Sequence, residues 1–220
     1  MYPKTIFIYV NQGFTVRYLL GTAILKALSE KVSRIIILSH NGHDKVFQDR
    51  FLKAGIEIEQ VRIEKYKKYL KSKKIQRLLI QFRAFILNGK YDTQTIDDFR
   101  EIFIQERGWS INNGLCSWIS GKLWESASNI FKKFKILRKL LINYELRNYT
   151  PSIHSDLFEK YSPDLVIVSA LCGFNYNEQI AREAKYNRVP VCTVILSWDN
   201  TSGMGMPGYE PDYIVAWTEK

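Results

Sequence analysis

Thr5-Ile6-Phe7-Ile8-Tyr9-Val10 is apolar at every position but the first, with no alternation between apolar and polar residues. A strand with one wet face alternates. A strand covered by helices on both faces does not, so this run reads as an inner strand of a parallel sheet. Arg34–Ser39, with Ile35-Ile36-Ile37-Leu38 at its centre, repeats the pattern, and Ile56–Val61 supplies a third strand. An amphipathic segment at Thr15–Glu30 separates the first two strands. A second, Asp44–Ala54, is stopped by Gly55 and separates the next pair. The order β-α-β-α-β with short connections predicts an α/β doubly wound sheet.

The alternation resumes after Pro151. Ile153–Tyr161 reads as a helix, Asp164–Ala170 as a buried strand and Asn175–Tyr186 as a helix. Pro190–Leu196 and Tyr213–Thr218 read as strands. Between the two alternating regions lies a helical elaboration, residues 62–150. Tyr66, Tyr69, Leu70, Leu78, Leu79, Phe82, Phe85 and Ile86 recur at helical spacing over Lys65–Leu87. Phe131, Phe134, Leu137, Leu140, Leu141 and Tyr144 do the same over Ile130–Leu146. Asp97–Ile104 looks helical, and Gly108–Gly121 shows no clear period. At 220 residues the chain is expected to be one domain carrying this insertion.

The net charge of +10 is confined to the middle of the chain. Residues 62–90 hold ten Lys and Arg against one Glu, and residues 122–149 hold seven against two acids. Residues 151–220 are net acidic, with five basic and nine acidic side chains. The basic runs interleave aromatics, as in Lys65-Tyr66-Lys67-Lys68-Tyr69 and Phe131-Lys132-Lys133-Phe134-Lys135. That pattern suits an anionic membrane surface along residues 65–87 and 130–146, nucleic-acid phosphates, or simply a solvated helix face. No stretch reaches the roughly 18 apolar residues of a spanning helix. Cys116, Cys172 and Cys192 are isolated and odd in number, which reads as reduced core thiols. The N-terminus lacks a charged region followed by a small-residue cleavage site, so a cytoplasmic protein is expected, at the inner face of a membrane if it touches one.

Right-handed crossovers place the C-terminal ends of parallel strands on one edge, where ligands bind in such sheets. Four predicted strand ends carry Gly or small polar clusters: Asn11-Gln12-Gly13, His40-Asn41-Gly42, Leu171-Cys172-Gly173 and Trp198-Asp199-Asn200. Asn11 and Gly13 open a helix N-terminus suited to phosphate or sugar oxygens, with Arg17 one turn in and Thr15 placed to cap. The turn is neither Gly-x-Gly-x-x-Gly nor a Walker loop. His40 is a candidate proton-transfer group, in a loop that ends in Asp44 as N-cap; no cluster completes a metal site around it. Gly173 permits a sharp turn, and Asn175 is placed to cap the helix that follows. Asp199 is a candidate general base toward a sugar hydroxyl. Trp198 suits ring stacking, and Asn200 and Thr201 suit neighbouring hydroxyls, although Asp199 and Asn200 also fit a turn bonded to its own backbone.

Ser197-Trp198-Asp199-Asn200-Thr201-Ser202, followed by Asp212-Tyr213-Ile214-Val215-Ala216-Trp217-Thr218-Glu219, resembles the close of the N-terminal domain of a GT-B glycosyltransferase. The likeness is to bacterial surface-polysaccharide transferases and the related glycerophosphotransferase group. Val16-Arg17-Tyr18-Leu19-Leu20 is similar to that group's opening helix. The resemblance covers residues 1–61 and 164–220, and 62–150 poorly; Gly203-Met204-Gly205 departs from the Lys-Gly often found after the Trp-Asp-Asn turn. It implies a Rossmann-like acceptor-side domain, with Asp199 and His40 as catalytic groups. Asn11, Gly13, Arg17, Gly173, Trp198, Asn200 and Thr201 would surround a glycan or lipid-linked acceptor. It further implies no cofactor in this domain and a nucleotide-activated donor in a second domain that this chain lacks, leaving the chain inactive alone. The alternatives are a nucleic-acid-binding module, which is not the expected reading, and an inactive fragment.

Overall fold

The computed structural model describes residues 4–10, 13–86, 94–169, 171, 176–196 and 205–216. Six parallel strands form one sheet in the order β3-β2-β1-β4-β5-β6: β1 Thr5–Val10, β2 Arg34–Ser39, β3 Ile56–Gln60, β4 Leu165–Val168, β5 Val191–Val194 and β6 Tyr213–Val215. The doubly wound α/β expectation is therefore met. Alternate residues of the apolar strands point to opposite faces. Phe7, Tyr9, Ile36, Leu38, Val166 and Val168 pack under α9 (Ser155–Tyr161) and α10 (Asn177–Tyr186). Ile6, Ile8, Val10, Ile35, Ile37 and Ile167 pack against Leu25 of α2 (Ala23–Ser29) and Phe47 and Phe51 of α3 (Lys45–Phe51). Both faces are buried, which is why these strands do not alternate.

Local chemistry sets the element ends. Asp44 caps α3, its Oδ1 accepting from the Phe47 amide at 2.8 Å, and Gly55 at φ +78° makes the turn into β3. The segment read as one helix over Thr15–Glu30 is two. α1 (Gly13–Thr15) continues into a π-helical turn, Val16–Leu20, closed by the Gly21 amide on the Val16 carbonyl at 3.0 Å. Thr22 then starts α2 by accepting from the Ile24 amide at 3.3 Å. Thr15 is not a cap: its backbone is helical and its hydroxyl is engaged elsewhere.

The elaboration is helical, as expected, with α4 (Ile63–Ser72), α5 (Lys74–Ala84), α6 (Gln94–Glu106), α7 (Leu115–Lys133) and α8 (Lys135–Asn148). Both long helices read from the sequence are broken, the first at Lys73 and the second at Phe134, where the backbone leaves helical geometry. The second break changes which stripe is buried. Phe134, Leu140 and Tyr144 are exposed, while Leu141, Ile142 and Glu145 are buried. The unpatterned stretch before Gly121 contains a 3-10 turn, Ile111–Asn113, and the first turns of α7. Phe82, Ile86, Leu141, Ile142 and Met206, with Trp124 and Phe131, form a separate small core for this region. Cys116 is exposed rather than buried, because it lies on the outer part of α7; Cys192 is half-buried in β5. Cys172 lies outside the described residues.

Candidate functional site

β1 and β4 are neighbours in the sheet, yet the chain leaves β1 toward β2 and leaves β4 toward β5. The two crossovers diverge, the arrangement that makes a crevice at the carboxyl edge the usual ligand position in such sheets. Thr15 enters it after β1 and Ser169 after β4, and their hydroxyls bond across 154 residues of chain at 2.9 Å, both nearly fully buried. Asn177, the first residue of α10, places its Nδ2 3.4 Å from the Ser169 Oγ. Its Oδ1 is buried and has no hydrogen-bond partner among the described residues. A buried acceptor without a donor costs about 1–3 kcal/mol, so the position favours a ligand or water that donates to it.

Gly13 stands at the mouth of the same crevice. It is exposed, and a Cβ added there would meet no atom within 4 Å. Packing does not require a glycine here, and the open space leaves room for a ligand to approach the backbone. The next residue, Phe14, is 44% exposed, and its ring lies 4.5 Å, centroid to centroid, from that of Tyr18 one turn on. The exposed Arg17 guanidinium is 5.8 Å from the Tyr18 ring centroid. The rim thus carries an aromatic pair and a cation on a π-helical turn, a conformation common at functional sites. Phe14 and Tyr18 were not among the residues singled out from sequence; their helical spacing beside Gly13 was the available signal.

His40 follows Ser39, which pairs in register with Val10, so the His40 loop shares this edge. Its carbonyl accepts from Gln60 Nε2 at 2.7 Å, and Gln60 Oε1 accepts from the His43 amide at 3.2 Å. Gly42 packs directly on Gln60, where a Cβ would come within 2.9 Å. Gln60 therefore clamps the loop, and the His40 residue itself is exposed. Among the sequence-derived candidates, Gly13, Arg17 and His40 lie on the strand-end edge. Asn11, Gly173, Trp198, Asp199, Asn200 and Thr201 fall outside the described residues, as does Asn175; the residue preceding α10 is Tyr176, which gives no side-chain cap. Among the described residues no group of three His, Cys, Asp or Glu side chains is placed to hold a metal ion.

A second polar centre was not read from sequence. α10 is polar in composition, yet Asn177 through Ala184 are all buried. Ile180, Ala181 and Ala184 face the sheet, while Glu178 and Arg182 join an ionic cluster with the elaboration. Arg83 of α5 donates from Nε to Glu145 of α8 at 2.7 Å, from Nη2 to Glu178 at 2.5 Å and from Nη1 to the Met206 carbonyl at 2.9 Å. Arg182 donates to the Glu145 carboxylate at 3.1 Å and carbonyl at 2.8 Å. Burial pushes the Glu178 carboxyl up, but the Arg83 and Arg182 charges outweigh it and hold the group below its ordinary value. Beside this cluster, the Arg62 amide donates to His154 Nε2 at 3.1 Å, so the ring proton sits on Nδ1, 3.2 Å from Glu183. Apart from Arg182 Nε, which has no hydrogen-bond partner among the described residues, these groups satisfy one another and read as structure. The signal for them was the i,i+4 pair Glu178/Arg182, which a sequence reading assigns to a solvated face.

A shallow groove at the opposite end of α10 is lined by Asn143, Leu146, Arg147, Lys185, Tyr186 and Arg188. Lys185 is already paired with Asp212 at 2.7 Å, and the groove is far from the strand ends. The strand order is that of dinucleotide-binding sheets. However, β2 ends in Ser39 and His40 rather than the acidic residue that would hold a ribose, and the first turn has a single glycine. Set against known protein families, curated proteins and solved structures, the chain has no significant match. The fold is an α/β domain whose candidate ligand site is the carboxyl edge at the strand-order switch point.

Proposed function

We propose that this chain is the acceptor-binding half of a transferase. The enzyme would move a sugar, or a glycerophosphate, from a nucleotide-activated donor onto a hydroxyl of a glycan or lipid-linked acceptor. The observation that carries the reading is the edge between β1 and β4, where Thr15, Ser169 and Asn177 Oδ1, which has no partner among the described residues, converge in the segment that also carries the Phe14–Tyr18 pair with Phe14 exposed. Hydroxyl-rich molecules donate to such an acceptor and lay ring faces on aromatics. In the reaction, Asp199 takes the proton of the acceptor hydroxyl, whose oxygen bonds to the anomeric carbon or phosphorus of the donor as the nucleotide departs with the bonding pair. His40 and Arg17 lie on the edge from which they would orient the acceptor. The donor's own site belongs to a second domain in this reading.

Ligand-observed NMR with oligosaccharides, glycerol 3-phosphate and nucleotide sugars tests it. A saccharide or glycerophosphate should bind, and Gly13→Leu should abolish binding without changing the melting temperature. If none of these ligands binds, or if a nucleotide binds in the crevice and the saccharides do not, the reading fails.

A further inference from the structure

α7 presents two apolar faces, and the fold uses one. Its inner face, Gly121, Trp124, Ser128 and Phe131, packs inward: Gly121 sits against Trp109, and Trp124 and Phe131 meet Phe82 edge-on. At 100° per residue the opposite side carries Leu115, Ile119, Leu123 and Ile130, which are 62%, 41%, 66% and 49% exposed, with Trp118, 41% exposed, on its flank. Lys122 and Lys133 stand in the same stripe, and both are exposed. From Arg107 to Tyr144 the chain has seven Lys and Arg and a single acid, Glu125, which pairs with Lys122 at 2.9 Å. A helix that is apolar on both sides is normally buried on both, so the outer stripe is unpartnered.

We infer that α7 docks on an anionic lipid surface, lying in the interface with Leu115, Ile119 and Leu123 among the acyl chains and the lysines at the phosphate level. The charge pattern selects this occupant. Long basic side chains stand among the exposed apolar ones, with a tryptophan on the flank and one acid nearby, so the stems can lie along hydrocarbon while the ammonium groups reach anionic headgroups. A symmetric pairing of two copies through α7 would bring the lysines of both copies into one contact with only Glu125, already paired with Lys122, to offset them. Nucleic acid offers the lysines phosphates but leaves the exposed aliphatic side chains in water. No described helix is long and apolar enough to cross a membrane, so α7 lies on the surface rather than spanning it. The surface is not the Lys-rich α4, which has no comparable exposed apolar stripe, and it overlaps the second basic stretch, 130–146, only at Ile130 and Lys133. The inference does not rest on the transferase reading.

The test is cosedimentation of the full chain with vesicles of zwitterionic lipid alone or containing about 30% phosphatidylglycerol. Binding is expected only to the anionic vesicles. The triple variant L115S/I119S/L123S, altered only at exposed positions, should keep its circular dichroism and melting temperature and lose at least about tenfold in bound fraction. K122E/K133E should lose binding at low salt as well. No binding of the wild type to anionic vesicles, or equal binding by the triple variant, overturns the inference. So does a dimer that the triple variant dissociates, or salt-sensitive binding to duplex or single-stranded nucleic acid in place of lipid.

Discussion

Arg83→Met removes one charge from a closed set of two arginines and two glutamates. In the wild type each cation has a carboxylate: Arg83 bridges Glu145 and Glu178, and Arg182 holds the second oxygen of Glu145. Without Arg83, Glu178 keeps only Arg182 at 3.6 Å and the Gly208 amide, while the Met206 carbonyl loses its donor. Leaving a buried charge uncompensated costs about 3–5 kcal/mol. In a chain of this size that lowers the melting temperature by about 6–20 °C, at about 2–4 °C per kcal/mol. The double variant R83M/E178L leaves Arg182 paired with Glu145 and no uncompensated charge, so it should recover at least about half of that loss. The pH dependence has a definite sign. The wild-type Glu178 carboxyl is held below its ordinary value, so its contribution is present above about pH 4.5 and is lost as pH falls through the folded value. In R83M burial acts with a weaker opposing charge and raises that pKa, so the variant gains stability as pH falls and the gap between the two proteins narrows. Calorimetry from pH 4 to 8 reads both effects, and hydrogen exchange should show α5 and α8 opening while β1 and β2 stay protected. A shift of less than about 1 °C in R83M, or a double variant less stable than the single, would refute the account of the cluster as a balanced set.

Two glycines give a paired test. A Cβ at Gly208 would lie 2.2 Å from Glu178 Oε1 and 2.6 Å from Arg83 Nη2. G208A should therefore destabilise by about 1–3 kcal/mol, whereas G13A, with open space, should stay within about 0.5 kcal/mol; urea titration of both checks this. Ser169 serves both Thr15 and Asn177, so S169A should cost about 1–3 kcal/mol and T15V about 1 kcal/mol, with the order as the discriminating result. Native alkylation followed by peptide mass spectrometry should modify Cys116 at least about ten times faster than Cys192. Cys116 is exposed, while burial pushes the Cys192 thiol up and shields it.

The sheet was legible because its signal is local. Ile6-Phe7-Ile8-Tyr9-Val10 and Ile35-Ile36-Ile37-Leu38 carry a pattern that only two-sided burial explains, and Asp44 and Gly55 mark their turns in the expected manner. What failed was phase and partner. Periodicity cannot see a break at Lys73 or Phe134, where no proline or glycine announces one, and a break rotates every later residue onto another face. That is why Leu140 and Tyr144, which their spacing places on one side with Leu141, are exposed while Glu145 is fully buried. Thr15 was read as a cap because its local partner is the default one. Its actual partner, Ser169, is distant in sequence and is brought near by the pairing of β1 with β4.

α10 ties the two polar centres together. Its first residue, Asn177, borders the crevice, and the residue after it, Glu178, is already locked to Arg83 of the elaboration. The ion cluster therefore does not need to touch a ligand to matter for binding. It fixes the rotation of the helix that aims Asn177 Oδ1, and a rotation of even a few tens of degrees would remove that acceptor from the Thr15–Ser169 line. A side chain at Gly13 acts differently, by occupying the space where a ligand would sit. Loss of affinity in R83M accompanied by looser exchange at α10, against loss in G13L with α10 unchanged, distinguishes positioning from occupancy, and only a crevice shaped by both requires the insertion to be docked on the sheet.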